Sequence, residues 1–474
     1  MSIYKNGLAA NQNLAIANSI AIQVPAAHPL LSLMRSIPWE RIATVVEKDL
    51  WKTPRGKPWR GRQLFLRGHL GVFCLQKLKN WTDREAEYQV KDNAACRIFC
   101  GYFGPEILRR PPDHTKIEDF RSRLEPETQR QINDVILRKA RDLGFADPRM
   151  MDIDSTVQEA NMAYPSDVNL LVKACGLAQK VKKFIESKLP IATELGNKCK
   201  EVMKKIKGLA KEYLFKKGDG ENILAEKRRI AEEILEGTRQ EVGSLIGASI
   251  HPKDVNRLPW NIRRAYLQLQ KHWDRFATGV YHFLKLSKAL PGKPLSFFLE
   301  QIAFFDKGKK AGKKMQIGRQ YQLGRVGGNF LVVAPSTDVR MEDKSAVKPV
   351  VELHAKVFGA GTLESVGTDK GYYKSVNLRY LAGVESLKEM CIQMPGFSVE
   401  KFQAQDQKET YQRLVDRRAG IEPLIGHAKH GGQLGKSRMK TDAATLAAGY
   451  GAVLGLNLRQ LTRHVIGKKI EAMG

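Results

Sequence analysis

Three signals that would place the chain in a familiar class are missing from its sequence. The six cysteines show no paired CxxC spacing, which argues against a zinc ribbon and a disulfide framework and predicts buried thiols in a reducing compartment. No segment approaches the roughly 20 apolar residues of a membrane span, and no secretory signal opens the chain. No GxxxxGK[S/T] sequence is present. We therefore expect a cytoplasmic protein that neither contacts a membrane nor uses a nucleotide cofactor.

Acidic residues are scarce relative to basic ones. The 474 residues include 79 Lys or Arg against 50 Asp or Glu, a formal net charge of +29. Such a balance is typical of proteins that bind a polyanion, and nucleic acid is the leading candidate, which predicts association with the nucleoid. A merely cationic or ribosome-associated protein is the alternative. With 42% hydrophobic residues, a chain of this length has room for roughly two to four domains.

Changes in hydrophobic periodicity divide the chain into regions. Residues 1–145 have helical spacing and predict an N-terminal DNA-binding or dimerisation domain. Residues 166–311 are rich in Lys, Glu, Ala and Leu at helical spacing and predict a helical insertion. The flanking segments 146–165 and 312–440 carry strand signals and predict one catalytic core, followed by a basic helix and tail at 441–474.

Basic and aromatic residues in the two helical regions predict contacts with DNA. Between residues 52 and 67 the sequence carries six basic residues and no acid, a surface that could hold a DNA backbone or support a helix-turn-helix. The alternative is a solvated basic face. In the insertion, Trp260 could stack on a base at an opened DNA end, and core packing is the alternative. The predicted contacts in the basic stretch are Lys52, Arg55, Lys57, Arg60 and Arg62.

Three acidic residues stand in settings suited to binding a metal ion. Asp154 ends an apolar run that reads as a buried strand, Asp369 follows a short strand-like stretch, and Glu422 lies in a helical pattern. Mg²⁺ and Mn²⁺ prefer carboxylate oxygens, and two such ions about 4 Å apart can clamp the attacking and leaving oxygens of a phosphodiester. The trio therefore predicts phosphoryl-transfer chemistry at a site for two divalent ions.

The residues around the trio leave one choice open and add two cations. Strand alternation places Asp152 on the same face as Asp154, so periodicity does not choose between them as the first ligand. Helical spacing would project Arg418 and Lys429 from the same face as Glu422, where they could contact the phosphates flanking a scissile bond. A nearby glycine and proline weaken that geometry because the helix could start only near Glu422. An ordinary Arg-Glu-Lys ladder is the alternative.

The order of predicted elements indicates an α/β fold. A strand at the first aspartate and the helical insertion are followed by strand, strand, helix, strand, helix, strand and helix. These later elements are predicted at 314–321, 328–334, 345–358, 363–369, 372–382 and 390–394, with a final helix that holds Glu422. With the insertion removed, this order matches the ribonuclease H-like fold.

Three sequence blocks resemble those of cut-and-paste DDE transposases of bacterial insertion sequences. DSTVQEANMAYPSDVNLL is similar to the family's first aspartate block, in which the strand aspartate precedes a small residue and Thr, and this favours Asp154 as the first ligand. DKGYYKSVN is similar to the second block. In one large branch the third block reads Tyr, two residues, Arg, three residues, Glu, six residues, Lys; Arg418, Glu422 and Lys429 keep that spacing, whereas Val415 stands in place of the Tyr.

The resemblance implies an activity and partners beyond what composition indicates. It implies a transposase that acts as a homodimer and binds element ends and target sites in double-stranded DNA. It also implies that this transposase cuts and joins DNA strands with two Mg²⁺ or Mn²⁺ ions held by an Asp-Asp-Glu triad. The readings that compete with it are a metal-dependent nuclease of the same fold that does not join strands, and a catalytically silent DNA-binding protein.

Overall fold

The structure, a computed structural model, places most of the chain. It describes residues 24–50, 64–162, 166–188, 199–218, 220–248, 250–288, 290–306, 315–336, 338–396 and 405–471. The predicted DNA contacts Lys52, Arg55, Lys57, Arg60 and Arg62 lie outside these residues. Internal contacts divide the chain into a larger unit, residues 1–161 with 303–474, and a smaller unit of residues 162–302.

Seven helices precede the first strand in the described part of the chain. Their ends are set by local signals: Pro29 opens the first helix, and Thr82 forms a capping box with Glu85 at the start of the fourth. Asn80, in the left-handed conformation, ends the third. The helices are α1 (Pro29–Ser36), α2 (Trp39–Leu50), α3 (Leu66–Lys79), α4 (Asp83–Asp92), α5 (Ala94–Phe99), α6 (His114–Arg123) and α7 (Pro126–Asp142), and strand β1 (Asp147–Glu159) follows.

The smaller unit contains five helices and no strand among its described residues. Its apolar faces form a cluster of their own, in which Trp273 is buried beside Phe276. A buried ion pair joins Lys182 to Glu241 at 2.9 Å. The helices are α8 (Asp167–Lys188), α9 (Cys199–Phe215), α10 (Glu221–Gly247), α11 (Pro252–Arg257) and α12 (Trp260–Leu286).

A mixed sheet forms the centre of the larger unit. Strand β1 pairs antiparallel with β3 on one side and parallel with β5 on the other, and β5 pairs parallel with β6. Both β2 and β4 pair antiparallel with β3, at opposite ends of that long strand. The strands are β2 (Ala303–Asp306), β3 (Met315–Gly327), β4 (Phe330–Val333), β5 (Ser365–Thr368) and β6 (Glu389–Ile392). The sequence pattern did not indicate β2.

Five helices alternate with or follow these strands. The predicted helix at 345–358 extends to residue 343 and accommodates Pro349, and the segment around Glu422 divides into two helices at Gly420. The predicted α/β class is confirmed by this arrangement of helices and a mixed sheet. The helices are α13 (Asp343–Phe358), α14 (Ser375–Ala382), α15 (Gln405–Ala419), α16 (Ile421–His430) and α17 (Asp442–Glu471).

One hydrophobic cluster joins the N-terminal helices to the sheet. It includes Leu70 and Phe73 of α3, Ile153 of β1, Val350 of α13 and Leu458 of α17. The long helix α17 approaches α3 closely at Gly455, which has no side chain. A Cβ added at this position would collide with a backbone carbonyl of α3. The larger unit therefore buries its N-terminal helices and its sheet together.

The sequence predicted buried thiols and no membrane-spanning segment, and both predictions can be compared with the described residues. The side chains of Cys74, Cys96, Cys100, Cys175 and Cys391 are buried free thiols, as predicted. Within the described ranges, no helix combines the length and apolar character needed to cross a bilayer.

Candidate active site

Two aspartates lie side by side where the pairing of two parallel strands ends, Asp154 within β1 and Asp369 directly after β5. The pairing of β1 with β5 ends at Ile153 opposite Thr368, so Asp154 and Asp369 are the next residues along the two strands. The Asp369 carboxylate accepts a hydrogen bond from the backbone of Gly371 at 2.8 Å, where a 3₁₀ turn begins. Parallel strands thus bring together two carboxylates that are 215 positions apart in the sequence.

The guanidinium of Arg418 contacts all three predicted acidic residues. Its Nη2 lies 2.8 Å from Asp154 Oδ2 and 3.8 Å from Asp369 Oδ2. Its Nη1 donates to Glu422 Oε1 at 3.3 Å. Carboxylates from a strand, a strand end and a helix therefore meet around one cation.

Glu422 reaches this cluster across a break between two helices. Helix α15 ends at Ala419, and α16 begins at Ile421 with Glu422 in its first turn. The four-residue spacing from Arg418 to Glu422 still brings the two side chains into contact, because Gly420 keeps right-handed helical φ and ψ angles. The Glu422 side chain is 64% exposed and has room to change rotamer.

Burial sets the protonation behaviour of the first aspartate. It raises the pKa of Asp154 to about 6, although the Arg418 charge opposes the shift. The same effect raises the pKa of Tyr372, whose ring is buried close to Asp154 and Asp369. A cation of higher charge density than a guanidinium would favour the ionised form of Asp154.

The donor atoms at this site fit a hard divalent cation in kind, but the side chains are not closed around one. All three residues supply oxygen, which Mg²⁺ and Mn²⁺ prefer. Across the described residues, no three His, Cys, Asp or Glu side chains lie close enough together to hold a metal ion. In this arrangement Arg418 lies among the carboxylates. Binding of an ion would require Arg418 to withdraw and Glu422 to turn toward Asp154 and Asp369.

Asp152, the competing first ligand, is engaged by arginines instead. Its carboxylate is fully buried and lies 2.9 Å from Arg417 Nε and 3.5 Å from Arg325 Nη1. Arg417 also donates to the Ser365 hydroxyl, and Arg325 donates to the Arg417 backbone carbonyl at 2.7 Å. The cluster links β1, β3 and β5 to the end of α15, next to Arg418. Asp152 thus helps to position the helix that carries Arg418.

A fourth carboxylate near the site was missed by sequence reasoning. Asp343, in the first turn of α13, accepts hydrogen bonds from the side-chain amides of Gln320 and Gln322 at 2.8 and 2.9 Å. A Cβ added to Gly371 would lie 3.1 Å from Asp369 Oδ1 and 3.2 Å from Asp343 Oδ2, so the two carboxylates are close neighbours. In the sequence Asp343 looks like an ordinary acid at a helix start. The alternating glutamines on β3 are the signal that could have pointed to it.

The remaining predicted DNA contacts lie apart from the carboxylates or in the other unit. Lys429, at the end of α16, lines a depression with Asn161 and Arg438. Trp260, at the start of α12, is 70% exposed and lies beneath the guanidinium of Arg264 at 5.3 Å. Arg67, the last member of the basic stretch, is buried over the Trp39 ring, so it does not belong to a solvated basic face.

Comparison with known proteins relates part of the chain to transposases. Residues 18–123 match the family described as Transposase domain (DUF772). The "Uncharacterized protein ORF8 in nfe locus" of Rhizobium meliloti is 26% identical over 150 residues, which cover 31% of this chain and 68% of that protein. No solved structure matches the chain. The matched segment contains helices α1 to α6, so the similarity to transposase domains concerns this N-terminal part of the chain.

Proposed function

We propose that the protein is a DDE transposase that binds element ends and catalyses metal-dependent DNA cleavage and strand transfer. The observation that carries the proposal is the convergence of Asp154, Asp369 and Glu422 on a single guanidinium. Like charges that approach so closely need a cation between them, and a phosphodiester-cleaving site needs carboxylates that can hold metal ions. The match of residues 18–123 to a transposase domain supports the same activity.

The strand order favours a ribonuclease H-like core for this activity. Along the path β4, β3, β1, β5 and β6, strand β3 is antiparallel to both of its neighbours, β4 and β1, whereas β5 and β6 are parallel to β1. This agrees with the order expected for that fold once the helical insertion after β1 is set aside. Asp154 on the central strand and Asp369 on its parallel neighbour are then the two aspartates of the proposed triad.

The chain's own residues would divide the work of the reaction. Asp154, Asp369 and Glu422 would hold two Mg²⁺ or Mn²⁺ ions, which neutralise charge on the phosphodiester and activate the attacking hydroxyl. Arg418 carries five N–H donors in a planar fork, so it can exchange a carboxylate for a phosphate oxygen beside the same site. The hydrogen bonds among Asp152, Arg417 and Arg325 would hold the end of α15 against β1 while that exchange takes place.

Replacement of the second aspartate tests the catalytic assignment. In Asp369→Asn a neutral amide replaces a hard-cation ligand, so DNA cleavage should fall by at least roughly a thousandfold, about 4 kcal/mol of transition-state stabilisation. End binding should change little, because one carboxylate contributes no attraction to DNA. The measurement combines gel mapping of 5′ and 3′ ends with a binding titration on candidate element termini in Mg²⁺, with EDTA as the metal-free arm.

Asp416→Asn is the matched control for this experiment. Asp416 is an exposed acid on α15, two residues from Arg418, and it accepts a hydrogen bond from Gln412. Its loss should leave cleavage unchanged. Full cutting by Asp369→Asn would remove that residue from the site. Cleavage by the unmodified protein without any joining of pre-cut ends to a target plasmid would favour a nuclease over a transposase.

A further inference from the structure

A basic groove runs across the larger unit beside the candidate active site. It consists of two adjoining depressions of about 430 and 710 Å³ that share Asn80 and His430. One wall comes from the ends of α3 and α4, and the other from the end of α16, the segment after it and α17. The groove therefore lies where the matched transposase-domain segment meets the sheet-bearing part of the same unit.

The Lys, Arg, Asp and Glu side chains that line the groove are all of one sign, because every one of them is Lys or Arg. The lining residues that the structure describes include six Lys or Arg and no Asp or Glu. The six are Lys79, Lys429, Lys436, Arg438, Arg459 and Arg463. A nearby acid, Glu85, is engaged in the capping box of α4, where its carboxylate accepts a hydrogen bond from the backbone of Thr82. A solvated protein surface normally mixes both signs, so six cations without a carboxylate indicate an anionic ligand.

Arg459 shows a donor that the protein itself does not satisfy. Its Nη1 donates to the backbone carbonyls of Leu78 and Gly431, which caps the ends of α3 and α16. Its Nη2 is buried without a hydrogen-bond partner among the described residues, and burial lowers the pKa of the group. Capping alone accounts for one nitrogen of the guanidinium. The second is a donor that a phosphate oxygen could satisfy.

Helix α16 connects the groove to the carboxylate cluster. Glu422 lies in its first turn and His430 at its last position, so at 1.5 Å per residue the two are about 12 Å apart along the axis. Duplex DNA carries one phosphate per roughly 3.4 Å of helix axis along each strand. A backbone bound in the groove would thus lie within about four phosphates of the candidate active site.

We infer that this groove binds the phosphate backbone of duplex DNA and guides it toward the carboxylates. The inference rests on the proposed function for the identity of the polyanion. The recognition is electrostatic and independent of sequence, since the lining carries six cations and no acid that would repel a phosphate. Binding in the groove would hold DNA through both the N-terminal helices and the sheet-bearing part of the larger unit.

The test is the salt dependence of DNA binding by a variant that removes two cations, Lys436→Gln with Arg463→Gln. Both residues are exposed and neither forms an ion pair with another described residue, so the variant should fold normally. Each lost phosphate contact lowers the slope of log affinity against log salt by about 0.9. We therefore expect the slope to decrease by about 2 for a labelled 40-base-pair duplex of arbitrary sequence, measured by anisotropy over a range of NaCl concentrations.

A control variant separates a local effect from a general loss of charge. Lys356→Gln with Arg379→Gln removes two exposed cations from α13 and α14 that do not line the groove. The inference is overturned if the groove variant keeps the slope of the unmodified protein, or loses no more than this control. It is also overturned if the variant weakens binding to poly-glutamate by as large a factor as binding to DNA.

The two proposals fail in different ways. If the protein cuts and joins element ends but the groove variant keeps the salt slope of the unmodified protein, the proposed function stands and the groove is not a DNA-binding surface. If the protein never cleaves DNA but the salt slope of DNA binding depends on Lys436 and Arg463, the groove stands as a DNA-binding surface and the proposed function is wrong.

Discussion

At the residue scale, the feature that organises the site is a single arginine surrounded by carboxylates. Arg418 offsets the repulsion between Asp154, Asp369 and Glu422, each of which approaches it within 4 Å. The cluster is consequently stable without any other cation, yet each of its contacts can be exchanged. A metal ion would compete with Arg418 for the same oxygens, so occupancy of the site and the position of this side chain should be linked.

The buried aspartate makes the stability of the metal-free protein depend on pH. Burial raises the pKa of Asp154 from 3.8 to about 6, so the folded state binds a proton more tightly than the unfolded state. This contribution is fully present below pH 4 and is lost as the pH rises through 6, about 3 kcal/mol in all. Urea unfolding in EDTA at a series of pH values should show a steeper decline for the unmodified protein than for Asp154→Asn. Parallel curves for the two proteins would contradict the shifted pKa.

Asp152 should matter for stability in a way that an exposed aspartate on the same strand does not. Asp152→Asn leaves the buried ends of Arg417 and Arg325 without their counter-charge, and we expect a loss of about 3 kcal/mol in the free energy of unfolding. Asp147→Asn removes an exposed ion pair with Arg149 and should cost less than about 1 kcal/mol. Equal losses in the two variants would show that the buried arginines find other partners.

At the scale of elements, the junction between α15 and α16 decides where Arg418 and Glu422 meet. A Cβ at position 420 would collide with the Arg325 guanidinium. The end of an arginine can usually move aside, but this one is held by Asp152 and by the Arg417 carbonyl, so its displacement would disrupt the end of α15. The helix break is therefore part of the architecture of the site.

A pair of glycine substitutions tests this junction. Gly420→Ala should lower the free energy of unfolding by about 2 kcal/mol and reduce cleavage further, because it displaces Arg325 and shifts Glu422. Gly426→Ala, on the same helix α16, meets no atom within 4 Å and should be neutral or stabilising by up to about 1 kcal/mol. Chemical denaturation and a cleavage assay on both variants provide the comparison. An unchanged Gly420→Ala protein would mean that the junction has room to adjust.

The sequence predicted those elements whose signal is local. Strand alternation and turn residues located β3 and β4, and helical spacing located α13 despite Pro349. The division at Gly420 was foreseen only as a weakness, since φ and ψ at a glycine are not specified by its neighbours. The short strand β2 was missed because it lies within the segment 166–311 that was predicted to be a helical insertion. Asp343 and the arginines around Asp152 were missed because their partners come from distant strands, which spacing along one element does not reveal.

At the scale of the whole molecule, the hydrophobic clusters of the described residues divide between the two units, with two clusters in the larger unit and one in the smaller. The larger unit combines the N-terminal helices with the sheet, and α17 lies against α3 and β4 within it. The smaller unit packs α8 to α12 around its own apolar residues. A substitution that disrupts the core of one unit should consequently leave the core of the other unit largely intact.

Substitution at the contact between α17 and α3 tests this independence. In Gly455→Ala the added methyl group collides with the backbone carbonyl of Lys77, which has little freedom to move, and we expect a loss of about 2 kcal/mol. Hydrogen exchange should accelerate in α3, α7 and β1 but not in α10 and α12. Gly467→Ala, on the same helix, meets no atom within 4 Å and should exchange like the unmodified protein. Equal acceleration in both units would contradict separate cores.

In the sequence, the helical unit separates β1 from the strands that pair with it, and this order has a consequence for protein synthesis. Strand β1 leaves the ribosome long before β3 and β5, because residues 162–302 must be translated first. During that interval both edges of an apolar strand carry unpaired amides and carbonyls, the condition in which nascent chains associate wrongly. Production of this protein should thus depend on chaperones that shield the strand, and slower growth at low temperature should raise the yield of correctly folded chains.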